Sequence, residues 1–172
     1  METPLEHILT SSYKADMIAY LDAHPKDFEE AINLAISNKQ PYAWRAAWLL
    51  WSCMAVNDAR IKGYIKKIID SITAKNDGHQ RELLKILLEM EIKEEYEGLL
   101  FNLCVSVWET INKKPSVRLT AFKMLVKIAK KHPELSHEII FLTQNHYLDS
   151  LSPAVKKAVS KMKKEFTLQM NN

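Results

Sequence analysis

The sequence predicts an all-α protein that is built from repeated pairs of helices. Three glycines and six prolines are few for 172 residues, and alternating apolar and polar residues between turn clusters are absent. Apolar residues recur instead at helical spacing, in segments that short polar connectors separate. Matching positions in these segments return after about 37 residues, which is typical of stacked helical repeats. With 47% hydrophobic residues, the chain can form a sizeable core without disulfides or metals.

The first two predicted helices lie on either side of Pro25. The first spans residues 7–23 and ends there because the residue before a proline is displaced from helical backbone angles. The second spans residues 26–37, and acidic residues in its first turns complement the positive end of the helix dipole. Its apolar face follows the spacing of a half-buried helix through Phe28, Ala31, Ile32, Ala35 and Ile36.

Residues 41–57 form the most apolar stretch of the chain and contain three of its four tryptophans. Trp44, Trp48 and Trp51 lie on one face of the predicted helix, and Trp108 lies on the apolar face of a later one. Because a tryptophan at core spacing is usually packed, we expect all four indoles inside the protein. Truncation of Trp48 to alanine is then expected to cost ~3 to 5 kcal/mol. A tryptophan exposed in a basic concavity would instead favour a nucleic-acid enzyme.

The remaining helices follow from the same apolar spacing and from capping signals between them. Asn57 and Asp58 end the tryptophan-rich helix, and Ser152 followed by Pro153 is a favourable start for the last helix. The predicted segments are residues 61–72, 79–90, 94–111, 116–131, 134–148 and 153–166.

Both helices of each pair recur with the same step. The residues that open alternate helices are separated by 37, 37 and 38 positions: Pro41, Gly78, Pro115 and Pro153. Corresponding residues of the second helices are separated by 37, 36 and 38 positions: Phe28, Ile65, Phe101 and Ile139. A period that both helices keep is hard to obtain from an unrelated helix bundle.

The repeat resembles the HEAT and armadillo-like family, whose units of two helices span roughly 40 to 47 residues. A proline opens the first helix and an arginine follows a few residues later, as in Pro41 with Arg45. The clearest copy is the run Pro115-Ser116-Val117-Arg118, which Ala121 and Leu125 follow. The resemblance implies an α-α superhelix, a right-handed solenoid of about four HEAT-like helix pairs plus a C-terminal helix.

The predicted domain organisation is one HEAT-like repeat domain over residues 1–172. Its four units and terminal helix span approximately residues 5–38, 41–75, 78–112, 115–149 and 153–167. A single unit cannot bury its apolar face alone, so stacked neighbours are expected to share one continuous core.

Charge is distributed unevenly along the chain. Residues 1–112 carry 12 basic against 17 acidic residues, whereas residues 113–172 carry 12 against 4. Lysines at helical spacing on two helices of this basic part predict a binding patch for phosphates or for an acidic partner. Its members are Lys123, Lys127, Lys130, Lys131, Lys156, Lys157, Lys161 and Lys164. A solvated helix face is the alternative interpretation of the same lysines.

Catalytic, cofactor-binding and metal-binding residues are not predicted. The six histidines show no pair at i, i+4 and no partner cysteine pair, and no phosphate-binding glycine loop occurs. Cys53 and Cys104 lie in apolar helical patterns and are expected to be buried, reduced thiols. No secretory signal and no stretch long enough to span a bilayer is evident. We therefore expect a cytoplasmic protein with no cofactor, no membrane segment and no small-molecule substrate.

These features favour a noncatalytic scaffold that binds a protein segment along the surface formed by one layer of helices. The basic C-terminal third favours an acidic partner, and nucleic acid stays open as a partner. The alternative is a DNA-binding or DNA-repair protein related in fold to the HEAT-like alkylpurine DNA glycosylases. That resemblance implies aromatic residues and an acidic residue in a basic channel, and no motif assigns a catalytic aspartate in this chain.

Overall fold

The computed structural model describes all 172 residues, and its regular secondary structure is helical throughout. The chain divides into two compact units, Met1–Ile92 and Lys93–Asn172. Their boundary falls inside the predicted third repeat, residues 78–112, so the single domain and its repeat boundaries stay predictions. None of the helices combines the length and the apolar character that a membrane span requires.

The first unit contains six α-helices. They are α1 (Pro4–Ser11), α2 (Lys14–Ala23), α3 (Phe28–Ile36), α4 (Tyr42–Cys53), α5 (Ile65–Ser71) and α6 (Asp77–Leu88). Short 3₁₀ segments lie before α3 and on both sides of α5, at Pro25–Asp27, Lys62–Tyr64 and Ile72–Ala74. Helix α4 packs against α3, α6 and α2, so it is the central helix of this unit.

The second unit contains five α-helices. They are α7 (Glu94–Glu109), α8 (Pro115–Ala129), α9 (Ser136–Phe141), α10 (Asn145–Leu148) and α11 (Pro153–Met170). A 3₁₀ segment, Pro133–Leu135, precedes α9. Helix α8 packs against α7, α9 and α11 and is buried on nearly all sides.

The helix predicted at residues 7–23 is two helices in the structure. A capping box starts α1 early, because Thr3 Oγ1 accepts from the amide of Glu6 while the Glu6 carboxylate accepts from the amide of Thr3, both at 3.2 Å. The chain then becomes extended at Ser12 and Tyr13. Serine and threonine hydroxyls compete for backbone carbonyls in such a run and weaken the helix. The prediction of one continuous helix is therefore wrong.

The helix predicted at residues 134–148 is also interrupted. The segment consists of a 3₁₀ turn, α9 and α10, and the hydroxyl of Thr143 donates to the carbonyl of Ile140 at 2.7 Å between the last two. The helices predicted at residues 79–90, 94–111, 116–131 and 153–166 are confirmed as α6, α7, α8 and α11, with ends that differ by a few residues.

The residues predicted to open alternate helices keep that role. Pro115 and Pro153 are the first residues of α8 and α11, where the missing amide of proline costs nothing. Pro41 directly precedes α4, and Gly78 is the second residue of α6. The period read from the sequence therefore marks real helix starts.

His79 joins the start of α6 to the core of the first unit. The ring is fully buried, with Nε2 2.7 Å from the carbonyl oxygen of Ala35 and Nδ1 3.1 Å from the side-chain nitrogen of Gln40. Since a carbonyl can only accept, Nε2 carries the proton and Nδ1 accepts from Gln40. The side chain of Asn76 caps α6 by accepting from the amide of His79 at 3.0 Å. Burial lowers the pKa of His79, so the neutral ring is the stable form here.

Trp108 and Arg118 lie together in the core of the second unit. Trp108 is fully buried, its Nε1 donates to the carbonyl of Leu142 at 2.8 Å, and its ring centroid lies 4.8 Å from that of Phe122. The fully buried guanidinium of Arg118 donates to the carbonyls of Trp108 at 2.8 Å and Tyr147 at 2.6 Å. The expected burial of Trp108 is thus confirmed, and Arg118 satisfies carbonyls that would otherwise be unpaired.

Candidate functional site

Helix α4 turns its small and branched residues inward and its tryptophans outward. Trp44 and Trp51 are each 37% exposed, and Trp48 is half-buried. The inward residues are at most 1% exposed: Ala43, Ala46, Ala47, Leu49 and Leu50. Alanines let α3 and α6 approach the helix axis closely, whereas three indoles at those positions would force the helices apart. The expectation that these three tryptophans belong to the core is therefore wrong.

A concave site lies where the start of α2 meets the middle of α4 and α6. Its cavity measures about 390 Å³, which is enough for one or two side chains of a ligand. We call it the tryptophan groove and define it by its lining residues, Ser12, Tyr13, Lys14, Met17, Trp44, Arg45, Trp48, Arg81, Glu82 and Lys85. At its rim, Tyr13 is 85% exposed. The groove thus combines accessible aromatic surface with several charged groups.

Two lysines lie over the faces of tryptophan rings at this site. Nζ of Lys14 is 5.3 Å from the ring centroid of Trp48, and Nζ of Lys85 is 3.6 Å from that of Trp51. Trp51 is not a lining residue of the groove but contacts one of them, Lys85. A cation in this position is attracted by the negative face of the indole. Both ammonium groups therefore lie next to aromatic surface, while Lys14 stays exposed to solvent.

A buried carboxylate holds the two cations that α6 contributes. Glu82 is 1% exposed and accepts from Nη2 of Arg81 at 2.8 Å and from Nζ of Lys85 at 2.9 Å. A buried carboxylate requires such charged donors, since its desolvation is otherwise costly. One negative charge thus faces two positive charges on this side of the groove.

The other two cations of the groove form no ion pair with a carboxylate. Nη1 of Arg45 donates to the carbonyl of Leu9 at 2.7 Å, and the buried Nε of Arg45 has no hydrogen-bond acceptor. Lys14 is exposed and contacts the indole described above. Four cations and one carboxylate therefore line the tryptophan groove, which gives it an excess of positive charge suited to an anionic ligand.

Sequence reasoning missed this site because its parts come from three separated segments. Lys14, Arg81 and Lys85 had no local motif, and only the structure places them around Trp48. One signal was available: Ala43, together with Ala46, Ala47 and Leu50, forms a second apolar series at helical spacing on a different face of α4 from the tryptophans.

The basic patch predicted for the C-terminal third lies on α8 and α11, which pack against each other. Lys123 on α8 and Lys130 directly after it are exposed, whereas Lys127 and Lys156 are half-buried. The eight lysines are therefore not equally accessible.

The exposed lysines of α11 point away from its packed face. Lys157, Lys161 and Lys164 follow one another at helical spacing on the side opposite the buried Val159 and Phe166. Helices α8 and α11 pack against each other, but the exposed lysines of α11 lie on the side of that helix opposite its buried residues. A continuous basic patch stays a prediction.

Lys131, another predicted member of that patch, is engaged with a carboxylate of α7. Its Nζ donates to Oε1 of Glu97 at 2.7 Å, and Nε2 of His132 lies 2.5 Å from Oε2 of the same group. Burial of Glu97 acts to raise the pKa of its carboxyl, but the hydrogen bonds from Lys131 and His132 together bring that pKa below its ordinary value. The hydrogen bond to Glu97 raises the pKa of His132. This cluster fastens α7 to the end of α8.

Neither metal ligation nor thiol chemistry organises a site in this structure. No group of three or more histidine, cysteine, aspartate or glutamate side chains is placed to hold a metal ion. Both cysteines are unpaired, and burial raises the pKa of Cys53 to about 11 and that of Cys104 further still. Both thiols are therefore protonated and weakly reactive near neutral pH.

Comparison with known proteins gives one family match. A family model described as a HEAT repeat domain matches residues 1–166, a range that contains α1 to α10 and most of α11. No curated protein and no solved structure matches the chain. The resemblance predicted from the repeat, and the all-α HEAT-like fold class that it implies, are confirmed by this match.

Proposed function

We propose that this chain, which belongs to the HEAT repeat domain family, is a noncatalytic scaffold that binds a segment of another protein. Proteins of stacked helical repeats present extended binding surfaces. The observation that carries the proposal is the exposure of Trp44 and Trp51 beside a cavity, on the central helix of a compact unit. Tryptophan side chains of this kind supply much of the binding energy at protein interfaces.

The binding surface we propose is the side of the first unit where α2, α4 and α6 meet. Its residues come from separate helices that pack on a common core, so the binding surface is preformed. A preformed surface loses little conformational entropy on binding. We propose the cytoplasm as the setting, because Cys53 and Cys104 are unpaired thiols and a reducing compartment preserves them.

The test is partner capture with matched surface variants. The full chain is immobilised, incubated with lysate of its own cells and analysed by mass spectrometry, alongside a double variant with Trp44→Ala and Trp51→Ala. Phe141→Ala is the control, since Phe141 is 48% exposed on α9 of the other unit. We expect a defined protein to be retained by the unmodified chain and by the control, and lost by the double variant. Equal capture by all three would contradict the proposal.

A second candidate function is nucleic-acid binding. The exposed Trp44 and the half-buried Trp48 of a basic groove support it, as do the exposed lysines Lys123, Lys130, Lys157 and Lys161, since cations contact phosphates and indoles stack on bases. Binding to duplex and single-stranded DNA would then weaken steeply as salt rises, and charge reversal at these lysines would abolish it. Absence of binding at low salt would remove this candidate.

A further inference from the structure

We propose that the tryptophan groove accepts a short, extended, acidic segment of a partner protein, with one apolar side chain entering the cavity. The inference rests on the proposed scaffold function and specifies the chemistry of its partner. Three features of the groove carry it: its charge balance, the position of its lysines on indole rings, and its dimensions.

The charge balance of the groove favours an anionic ligand. Lys14 and Arg45 have no carboxylate partner, and Arg81 and Lys85 share the single carboxylate of Glu82. These cations line the cavity of about 390 Å³ together with the apolar surfaces of Met17, Trp44 and Trp48. Acidic side chains that flank an apolar one would place their charges on the cationic rim while the apolar group fills the cavity. Complementary charge of this kind fixes the register of a bound segment and speeds its association.

The lysine positions favour carboxylates over nucleic-acid bases. Lys14 lies over the ring of Trp48 and Lys85 over the ring of Trp51, so a ring face on each of these indoles is already covered by an ammonium group. A base that stacked there would have to displace the lysine and lose the cation–π contact. A carboxylate can approach the same ammonium from the solvent side without displacing it, and the lysine then contacts both groups.

The dimensions of the groove set the length of the segment. Its lining comes from α2, α4 and α6, which are related by two helix-to-helix packing steps, and two steps of 8 to 10 Å amount to roughly 16 to 20 Å. An extended chain advances about 3.3 Å per residue, so about five or six residues span this distance. We therefore infer a linear segment and not the surface of a folded domain.

The experiment is selection from a phage-displayed library of random dodecapeptides against the intact chain. We expect the selected peptides to be enriched in aspartate and glutamate around one apolar residue. The affinity of synthetic copies, measured by titration calorimetry, should fall about tenfold or more in Lys14→Glu. It should be nearly unchanged in Lys62→Glu, which reverses an exposed charge elsewhere in the same unit. Raising the salt concentration should weaken binding to the unmodified chain.

The outcomes separate this inference from the scaffold proposal. Selected peptides that are neutral or basic, but lose binding in Trp48→Ala, would overturn the acidic inference and leave the scaffold proposal standing. If none of the selected peptides loses binding in Trp48→Ala, the result would count against both the acidic-segment inference and the scaffold proposal. A ten-nucleotide oligothymidylate that binds the groove, where acidic peptides do not, would overturn the inference in favour of nucleic acid. Circular dichroism of each variant shows that a loss of binding is not a loss of folding.

Discussion

The pKa values of His79 and His132 are shifted in opposite directions because their surroundings differ. Burial lowers the pKa of His79, so its contribution to stability is present above the ordinary histidine pKa of about 6.5. That contribution is lost as the pH falls through the lowered pKa of the folded state. The hydrogen bond to Glu97 raises the pKa of His132, so its contribution is full below about 6.5. It is lost as the pH rises through the raised pKa of the folded state.

The variant His132→Asn tests the predicted pH dependence of the stability that His132 contributes. At mildly acidic pH the variant should be less stable than the unmodified protein, because it lacks the charged hydrogen bond to Glu97. The difference in free energy of unfolding should shrink as the pH is raised above the folded-state pKa of His132. Urea unfolding at a series of pH values measures it, with the exposed His137→Asn as the control. A difference that does not change with pH, or that grows as the pH rises, would contradict the assigned role.

Trp108 and Trp48 should differ strongly in what their truncation costs. Trp108→Ala removes a fully buried indole and its hydrogen bond to Leu142, and should lower the free energy of unfolding by ~3 to 5 kcal/mol. Trp48→Ala removes a half-buried ring at a groove, so we expect a loss of only about 1 kcal/mol. Urea denaturation followed by circular dichroism measures both. Equal losses would mean that Trp48 supports the core after all.

At the scale of single helices, the cap formed by Asn76 should stabilise the first turn of α6. Its side chain accepts from the amide of His79, so Asn76→Ala leaves that amide without its cap and should cost about 1 kcal/mol. Asn76→Asp keeps an acceptor at the same place and should cost much less. Thermal unfolding compares the two, and amide hydrogen exchange should show faster exchange in the first turn of α6 for the alanine variant alone. Similar stability of both variants would show that the cap is not needed.

Local chemistry explains which helices could be predicted from the sequence. Strong start signals at Pro115 and Ser152 predicted where α8 and α11 begin, whereas the cap of α6 at Asn76 was not predicted and that helix begins two residues before the expected start. The orientation of α4 could not be obtained in this way, because alanines and tryptophans both recur at helical spacing around it. The choice between the two faces depends on how closely α3 and α6 approach, which is a property of tertiary packing.

The candidate site was even less predictable than the helices. Lys14, Trp48 and Lys85 are far apart in the sequence and meet only because three helices pack in one unit. A single sequence contains no local pattern for such a meeting. The lysines of α8 and α11 did form a local pattern, but one of the predicted set, Lys131, is paired with Glu97 across helices.

At the scale of the whole molecule, the unfolding of the two compact units can be followed separately. The repeat period predicts one domain, and we therefore expect a single cooperative transition. Each unit has one cysteine, the half-buried Cys53 and the fully buried Cys104, which becomes reactive when its unit unfolds. Brief thiol labelling at increasing urea, read by mass spectrometry, should give one midpoint for both. A labelled Cys53 beside a protected Cys104, or the reverse, would show two independent domains.

Three tryptophans of α4 face outward and one tryptophan of the second unit is fully buried, so the intrinsic fluorescence of the protein should have two components. Trp108 is fully buried beside Phe122, so its emission should be shielded from dissolved quenchers such as acrylamide. Trp44 and Trp51 are each 37% exposed, so the same quenchers should reach them and their emission should lie at longer wavelengths. Occupation of the groove should therefore alter only the quenchable part of the emission. The intrinsic tryptophan fluorescence would then report binding at the groove without an added dye.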